Sequence, residues 1–198
     1  MPIEKIPRRD ALRAMALPTA LALGLPVDVR AQGPPLRATP PCGGEPTPPQ
    51  TEGPYFKPAS PRRASLLEPG LTGTKLVVAG RVLFTDCRPV ARALIDAWQA
   101  DARGEYDNVG FTLRGHHFAD ETGHYRLETV VPGLYPGRTR HIHVKVQAPG
   151  QPVLTTQLYL PGEPQNRRDG LFDPALVLAV REVDGAQVAE FDFVLRRR

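Results

Sequence analysis

Beyond residue 74 the apolar residues fall into short runs rich in valine, leucine and aromatics, at 75–83, 93–99, 124–130, 141–146, 155–160 and 189–195. Such runs read as β-strands. Turn residues separate them, among them Gly104, Gly123, Pro149-Gly150 and Asp184-Gly185. Within 141–146 the polarity alternates, so Ile142, Val144 and Val146 face one side of an extended chain while His141, His143 and Lys145 face the other. Short strands at this spacing predict an all-β chain, an antiparallel β-sandwich. The stretch 171–180 fits either a final strand or a short helix. Upstream, residues 32–70 are rich in proline (among them Pro34, Pro35, Pro40, Pro41, Pro46, Pro48, Pro49, Pro54, Pro58 and Pro61), which excludes a helix and a central strand and predicts an extended arm.

The first residues have a different character. Arg8-Arg9-Asp-Ala-Leu12-Arg13 is a twin-arginine pattern, followed by a mild apolar stretch and by Val29-Arg30-Ala31, a small-x-small cleavage site. The chain thus divides into a signal at 1–31, the arm at 32–70 and a sandwich domain at 71–198, and export to the periplasm is expected. The apolar stretch is too short and too broken by proline to span a membrane. Residues 1–31 hold five basic and three acidic side chains, so the formal charge of +4 falls to +2 without them (4 − 5 + 3). That surplus is too small to predict a nucleic-acid or anionic-membrane partner. Both cysteines, Cys42 and Cys87, lie outside the signal, and an even count in an exported chain predicts a disulfide between them.

Two histidines on one strand face are a frequent way for a sheet to present metal ligands, and tyrosine narrows the metal. Phenolate is a hard anionic donor known to hold ferric iron, and a free phenol, with a pKa of about 10, needs a strongly charged cation to ionise near neutrality. Tyr106 and Tyr135 precede His141 and His143. Around them, in order, stand Gln50-Thr-Glu-Gly-Pro-Tyr55, Trp98-Gln-Ala-Asp101, Gly104-Glu-Tyr106, Arg114-Gly115, Asp120-Glu-Thr-Gly-His-Tyr125, Pro132-Gly-Leu-Tyr-Pro-Gly-Arg138 and His141-Ile-His143. Together these blocks resemble the intradiol ring-cleavage dioxygenases, the family of protocatechuate 3,4-dioxygenase and catechol 1,2-dioxygenase.

The resemblance implies a mononuclear, non-haem Fe(III) site with Tyr106, Tyr135, His141 and His143 as ligands. It implies cleavage of a small aromatic diol by O2 to a cis,cis-muconate-type diacid. Tyr135 would be the ligand that leaves and takes a substrate proton. Arg138 would stabilise negative charge developing on the ring, and Gln157 would orient a ligand by hydrogen bonding. Pro54 and Tyr55 would border the substrate. Trp98 and Tyr125 are expected in the core, His116, His117 and His124 at the surface, and Tyr159 near the site without a role. The alternative is an exported module that binds a catecholate through a metal without turnover. Zinc or copper at the histidines alone would leave both tyrosines unexplained. A monomer, a homo-oligomer and half of a hetero-oligomer are all compatible with the sequence.

Overall fold

The computed structural model describes residues 44–197. Nine strands make up nearly all of its regular structure: β1 (Lys75–Phe84), β2 (Leu94–Trp98), β3 (Arg114–Phe118), β4 (His124–Val130), β5 (His141–Gln147), β6 (Leu154–Tyr159), β7 (Ala179–Val183), β8 (Ala186–Glu190) and β9 (Phe193–Leu195). They form two sheets. One runs β4-β1-β8-β7 with β9 also on β1, and the other runs β3-β2-β5-β6. The expected all-β sandwich is what the chain adopts. It is antiparallel except along β1, which pairs in parallel with β8 and then with β9.

The core takes one face of each strand. Leu76, Val78 and Val82 of β1, Ile95 and Ala97 of β2, and Ile142, Val144 and Val146 of β5 are all buried. Each large aliphatic side chain removed from water contributes about 1.5–3 kcal/mol. Because the core consumes Ile142, Val144 and Val146, it fixes which way His141 and His143 point. The face opposite the core is the one that carries the polar chemistry.

Two expectations are corrected, for the run at 189–195 and for His117, and the open reading of 171–180 is decided. The run at 189–195 is two strands, because a Cβ on Gly80 would lie 1.9 Å from the Phe191 carbonyl oxygen. Glycine there lets the backbone cross between strands, and the Asp192 carboxylate takes the Arg81 amide at 2.7 Å in place of a strand partner. The stretch 171–180 is a short 3-10 turn, Pro174–Leu176, leading into β7. Strand β3, Arg-Gly-His-His-Phe, has no apolar alternation to announce it and is made by pairing along β2. Its pleat turns His117 inward. Far from lying at the surface, His117 is buried opposite Ile95, and neither ring nitrogen has a hydrogen-bond partner among the described residues. His124 is exposed, as expected, and Trp98 and Tyr125 are buried.

The arm, described from residue 44, does not form a strand. It lies along the β6 edge, where the Gln50 amide donates to the Thr155 carbonyl at 2.8 Å and the Thr156 hydroxyl to the Pro48 carbonyl at 2.8 Å. Cys87, in a turn at positive φ after β1, is disulfide-bonded. Its expected partner Cys42 and the expected signal at 1–31 lie outside the described residues. No helix among the described residues is long and apolar enough to cross a membrane.

Burial pushes the His117 pKa down to about 4. In the unfolded chain it lies at about 6.5, so protonation favours unfolding, and stability is expected to fall as pH drops from about 6.5 towards 4. His117→Leu should flatten part of that slope in urea midpoints measured across this range; an unchanged slope would contradict the burial argument.

Candidate active site

The outward face of the β3-β2-β5-β6 sheet builds the site. Register sets His143 beside Trp98 of β2 and Gln157 of β6, and His141 beside Tyr159. The two imidazoles converge, with His141 Nε2 3.1 Å from His143 Nε2. The Tyr106 hydroxyl lies 3.2 Å from His141 Nε2. His141 Nδ1 sits 2.6 Å from the Thr139 carbonyl oxygen. A carbonyl can only accept, so Nδ1 carries the proton and Nε2 presents its lone pair to the site. His143 is clamped differently: the Trp98 ring stacks on it at 4.9 Å and 7°, and its Nδ1 is buried without a partner among the described residues.

Burial and the neighbouring positive charges work against protonation here. The His141 pKa is pushed down to about 4, mainly by burial, and that of His143 lies well below the ordinary histidine value, from burial and then from His141. Burial also lifts the Tyr106 phenol well above its usual range, against opposition from Arg138 and Arg114. Two neutral imidazoles and a phenol thus meet in one buried site. No group of three His, Cys, Asp or Glu side chains suited to a metal exists among the described residues. The donors gathered here are tyrosine and histidine. Such an oxygen–nitrogen set fits a highly charged cation of intermediate hardness.

Tyr135 enters from the opposite loop. Its hydroxyl is 2.7 Å from that of Tyr55. The Tyr55 ring stacks on Tyr106 at 4.4 Å and meets Tyr135 edge-on at 5.5 Å. Tyr106 and Tyr135 also meet edge to face, at 5.9 Å. Two glycines bring their segments together. A Cβ on Gly104, where φ is +91°, would fall 2.0 Å from the Leu134 carbonyl oxygen, and one on Gly133 would fall 2.2 Å from the Gly104 amide nitrogen. Backbone lies on backbone there, and only glycine permits it.

Arg138 and Gln157 touch each other. The guanidinium donates to Gln157 Oε1 at 2.6 Å and to Asp169 Oδ2 at 2.9 Å. Asp169 is buried and also accepts the Thr139 amide at 2.8 Å. Gln157 Nε2 donates to the Thr51 carbonyl at 2.9 Å, so the arm is tied to the same network. Gly53, at φ +71°, brings that arm against His143, where a Cβ would lie 3.3 Å from Cε1. Pro54 follows, exposed, beside Tyr55. The Tyr159 hydroxyl reaches Gln50 Oε1 at 2.6 Å and the Leu171 carbonyl at 2.7 Å, fastening the arm from a second side.

All eight residues singled out from the sequence for the metal, the ring or the proton (Pro54, Tyr55, Tyr106, Tyr135, Arg138, His141, His143 and Gln157) therefore lie in or beside one site. Sequence reasoning missed Asp169 and the part taken by Trp98. Asp169 follows a short 3-10 turn with no periodic signal. Trp98 was visible inside a motif block, but a tryptophan in a strand reads first as core.

The family described as Dioxygenase matches residues 51–197. The chain belongs to the intradiol dioxygenase family. It is 32% identical over 177 residues to 6-chlorohydroxyquinol 1,2-dioxygenase of Cupriavidus pinatubonensis, covering 75% of this chain and 64% of that protein. It is 32% identical over 156 residues to the protocatechuate 3,4-dioxygenase beta chain of Burkholderia cepacia, covering 64% and 66%. It thus spans just under two thirds of the length of either relative. Among solved structures it is similar to the dioxygenase domain of a dioxygenase–carbohydrate-binding protein fusion from Streptomyces sp. SirexAA-E. That match has 56% identity and a TM-score of 0.76, and covers 78% of this chain and all of the other.

Gly104→Ala should lower the free energy of unfolding by about 2–4 kcal/mol, from positive-φ strain plus the clash with the Leu134 carbonyl. Chemical denaturation measures it, and a change below about 1 kcal/mol would contradict the close approach of the two tyrosine segments.

Proposed function

We propose that this protein cleaves a catechol-type aromatic diol between its two hydroxyl-bearing carbons, with O2 and Fe(III), to a cis,cis-muconate-type diacid. The observation that carries the reading is the convergence of His143 Nε2, at 3.1 Å, and the Tyr106 hydroxyl, at 3.2 Å, on His141 Nε2. Tyr106, Tyr135, His141 and His143 would hold the iron. The chemistry such an iron would supply is the withdrawal of electron density from a chelated diolate, which would prepare the ring to react with O2.

The remaining chemistry belongs to the chain's own residues. A diol binding as a dianion must surrender two protons. The Tyr135 oxygen is a suitable acceptor for one, and the Tyr55 hydroxyl at 2.7 Å gives the resulting phenol a hydrogen-bond partner. Arg138 cannot lose its charge. Held at fixed orientation by Asp169 and Gln157, its guanidinium stands ready beside a ring on which negative charge develops, with no reorganisation needed at the moment of reaction. Stacking of Tyr55 on Tyr106 and packing of Gly53 on His143 keep water from one side. Capture of a catecholate without turnover would not call for the buried Arg138–Asp169 pair. We include in the proposal export through the twin-arginine signal at 1–31 and a Cys42–Cys87 disulfide, supported by the bonded state of Cys87.

Iron-loaded protein given catechol under 18O2 should release a ring-opened diacid carrying two labelled oxygens, by mass spectrometry. Catechol recovered intact from a protein that binds it would overturn the proposal. Arg138→Lys keeps the charge opposite Asp169 but loses the planar fork. It should lower kcat about 100-fold, roughly 2.7 kcal/mol of barrier, with little change in diol affinity. A wild-type kcat in this variant would remove Arg138 from the chemistry.

A further inference from the structure

We propose that the site selects diols whose ring substituents are uncharged and disfavours those bearing a ring carboxylate; this rests on the dioxygenase reading above. The two ring hydroxyls are what the iron would chelate, which would direct the ring substituents towards the exposed segments that carry the three site tyrosines. Pro54 precedes Tyr55, and Leu134 and Pro136 enclose Tyr135; all three are exposed and apolar. Val109, three residues after Tyr106, is 96% exposed. The charged residues directly flanking these tyrosines are Glu105 and Asp107, on either side of Tyr106, and both are negative.

The cations in contact with site residues are committed elsewhere. Arg138 is paired with Asp169 and bonded to Gln157. Arg114 lies behind Tyr106 and is 1% exposed; its guanidinium donates to the Asp107 and Tyr55 carbonyls, so no substrate can reach it. Lys145 pairs with Glu52 and bonds Thr155 Oγ1. Arg140 pairs with Glu163 at 2.7 Å. Lys57 donates to the Val109 and Gly110 carbonyls at 2.9 and 2.6 Å and lies over the Phe111 ring, which ties the arm to the loop after Tyr106. Arg103, well exposed, is offset by both Asp101 and Glu105. Arg168, exposed and next to Asp169 in the chain, is in no ion pair among the described residues. A carboxylate on the ring would lose hydration at an apolar rim, and the cations that touch the site residues are already engaged. An alkyl group there would gain apolar contact with the exposed Leu134 and Pro54.

Anaerobic calorimetry on the iron-loaded full chain tests this with three probes. The first two, 3,4-dihydroxybenzoate and 3,4-dihydroxybenzamide, share size and differ in charge; 4-methylcatechol supplies the apolar substituent. The benzoate should bind at least 10-fold more weakly than the benzamide, and 4-methylcatechol at least as tightly as the benzamide. Leu134→Lys should narrow the benzoate–benzamide ratio. Benzoate binding equal to or tighter than benzamide overturns the inference, and its loss in Lys57→Met or Arg168→Ala would then name the cation responsible. Failure of all three diols to bind would bring down the dioxygenase reading and this inference with it. Turnover with a benzoate preference would bring down this inference alone.

Discussion

Two buried imidazoles point their Nε2 atoms at each other across 3.1 Å, and much of the surrounding structure serves to hold them there. Burial lowers both pKa values and keeps the rings neutral, so that their nitrogens stand close enough to serve one cation. Most of what fixes the pair comes from the sheet and the residues that lead into it. Ile142, Val144 and Val146 lock β5 into the core, Thr139 sets the tautomer of His141, and Trp98 stacks on His143 from the neighbouring strand. A site built on paired strands holds its geometry better than one built on loops.

The other half of the site is contributed by segments without regular structure. The arm supplies Gly53, Pro54 and Tyr55, and one loop after β4 supplies Tyr135 and Arg138. These segments are fixed by polar ties: Gln50 and Gln157 to Tyr159 and Thr51, Lys57 to the loop after Tyr106, Lys145 to Glu52, and Arg138 to Asp169. The architecture divides the labour. The sheet carries the histidines, and the tethered arm and loops carry the tyrosine and guanidinium groups.

The parts of this arrangement legible in the sequence are those with strong local constraint. Alternation at 141–146 orients both histidines. The proline density of 32–70 excludes a helix, and the ordered motif blocks identify the family. What stayed hidden depended on contacts distant in the chain. β3 exists through pairing with β2, so its two histidines gave no sign of which would turn inward. The break between β8 and β9 depends on a glycine 111 residues before Phe191 (191 − 80). Asp169 reaches Arg138 from a loop that no periodicity marks. The parallel pairing of β1 is likewise a property of chain routing, since β8 and β9 carry no feature that sets their direction.

The most direct test of the central claim is the visible absorption of iron-loaded protein together with that of Tyr106→Phe, with iron quantified in both. Phenolate coordinated to ferric iron gives a broad charge-transfer band and a burgundy colour. The account predicts about one iron per chain and such a band in the wild-type protein, with much of the band and of the retained iron lost in Tyr106→Phe. A protein that holds its iron without a visible band, or a variant whose spectrum and iron content are unchanged, would show that the tyrosine facing the two imidazoles is not a ligand.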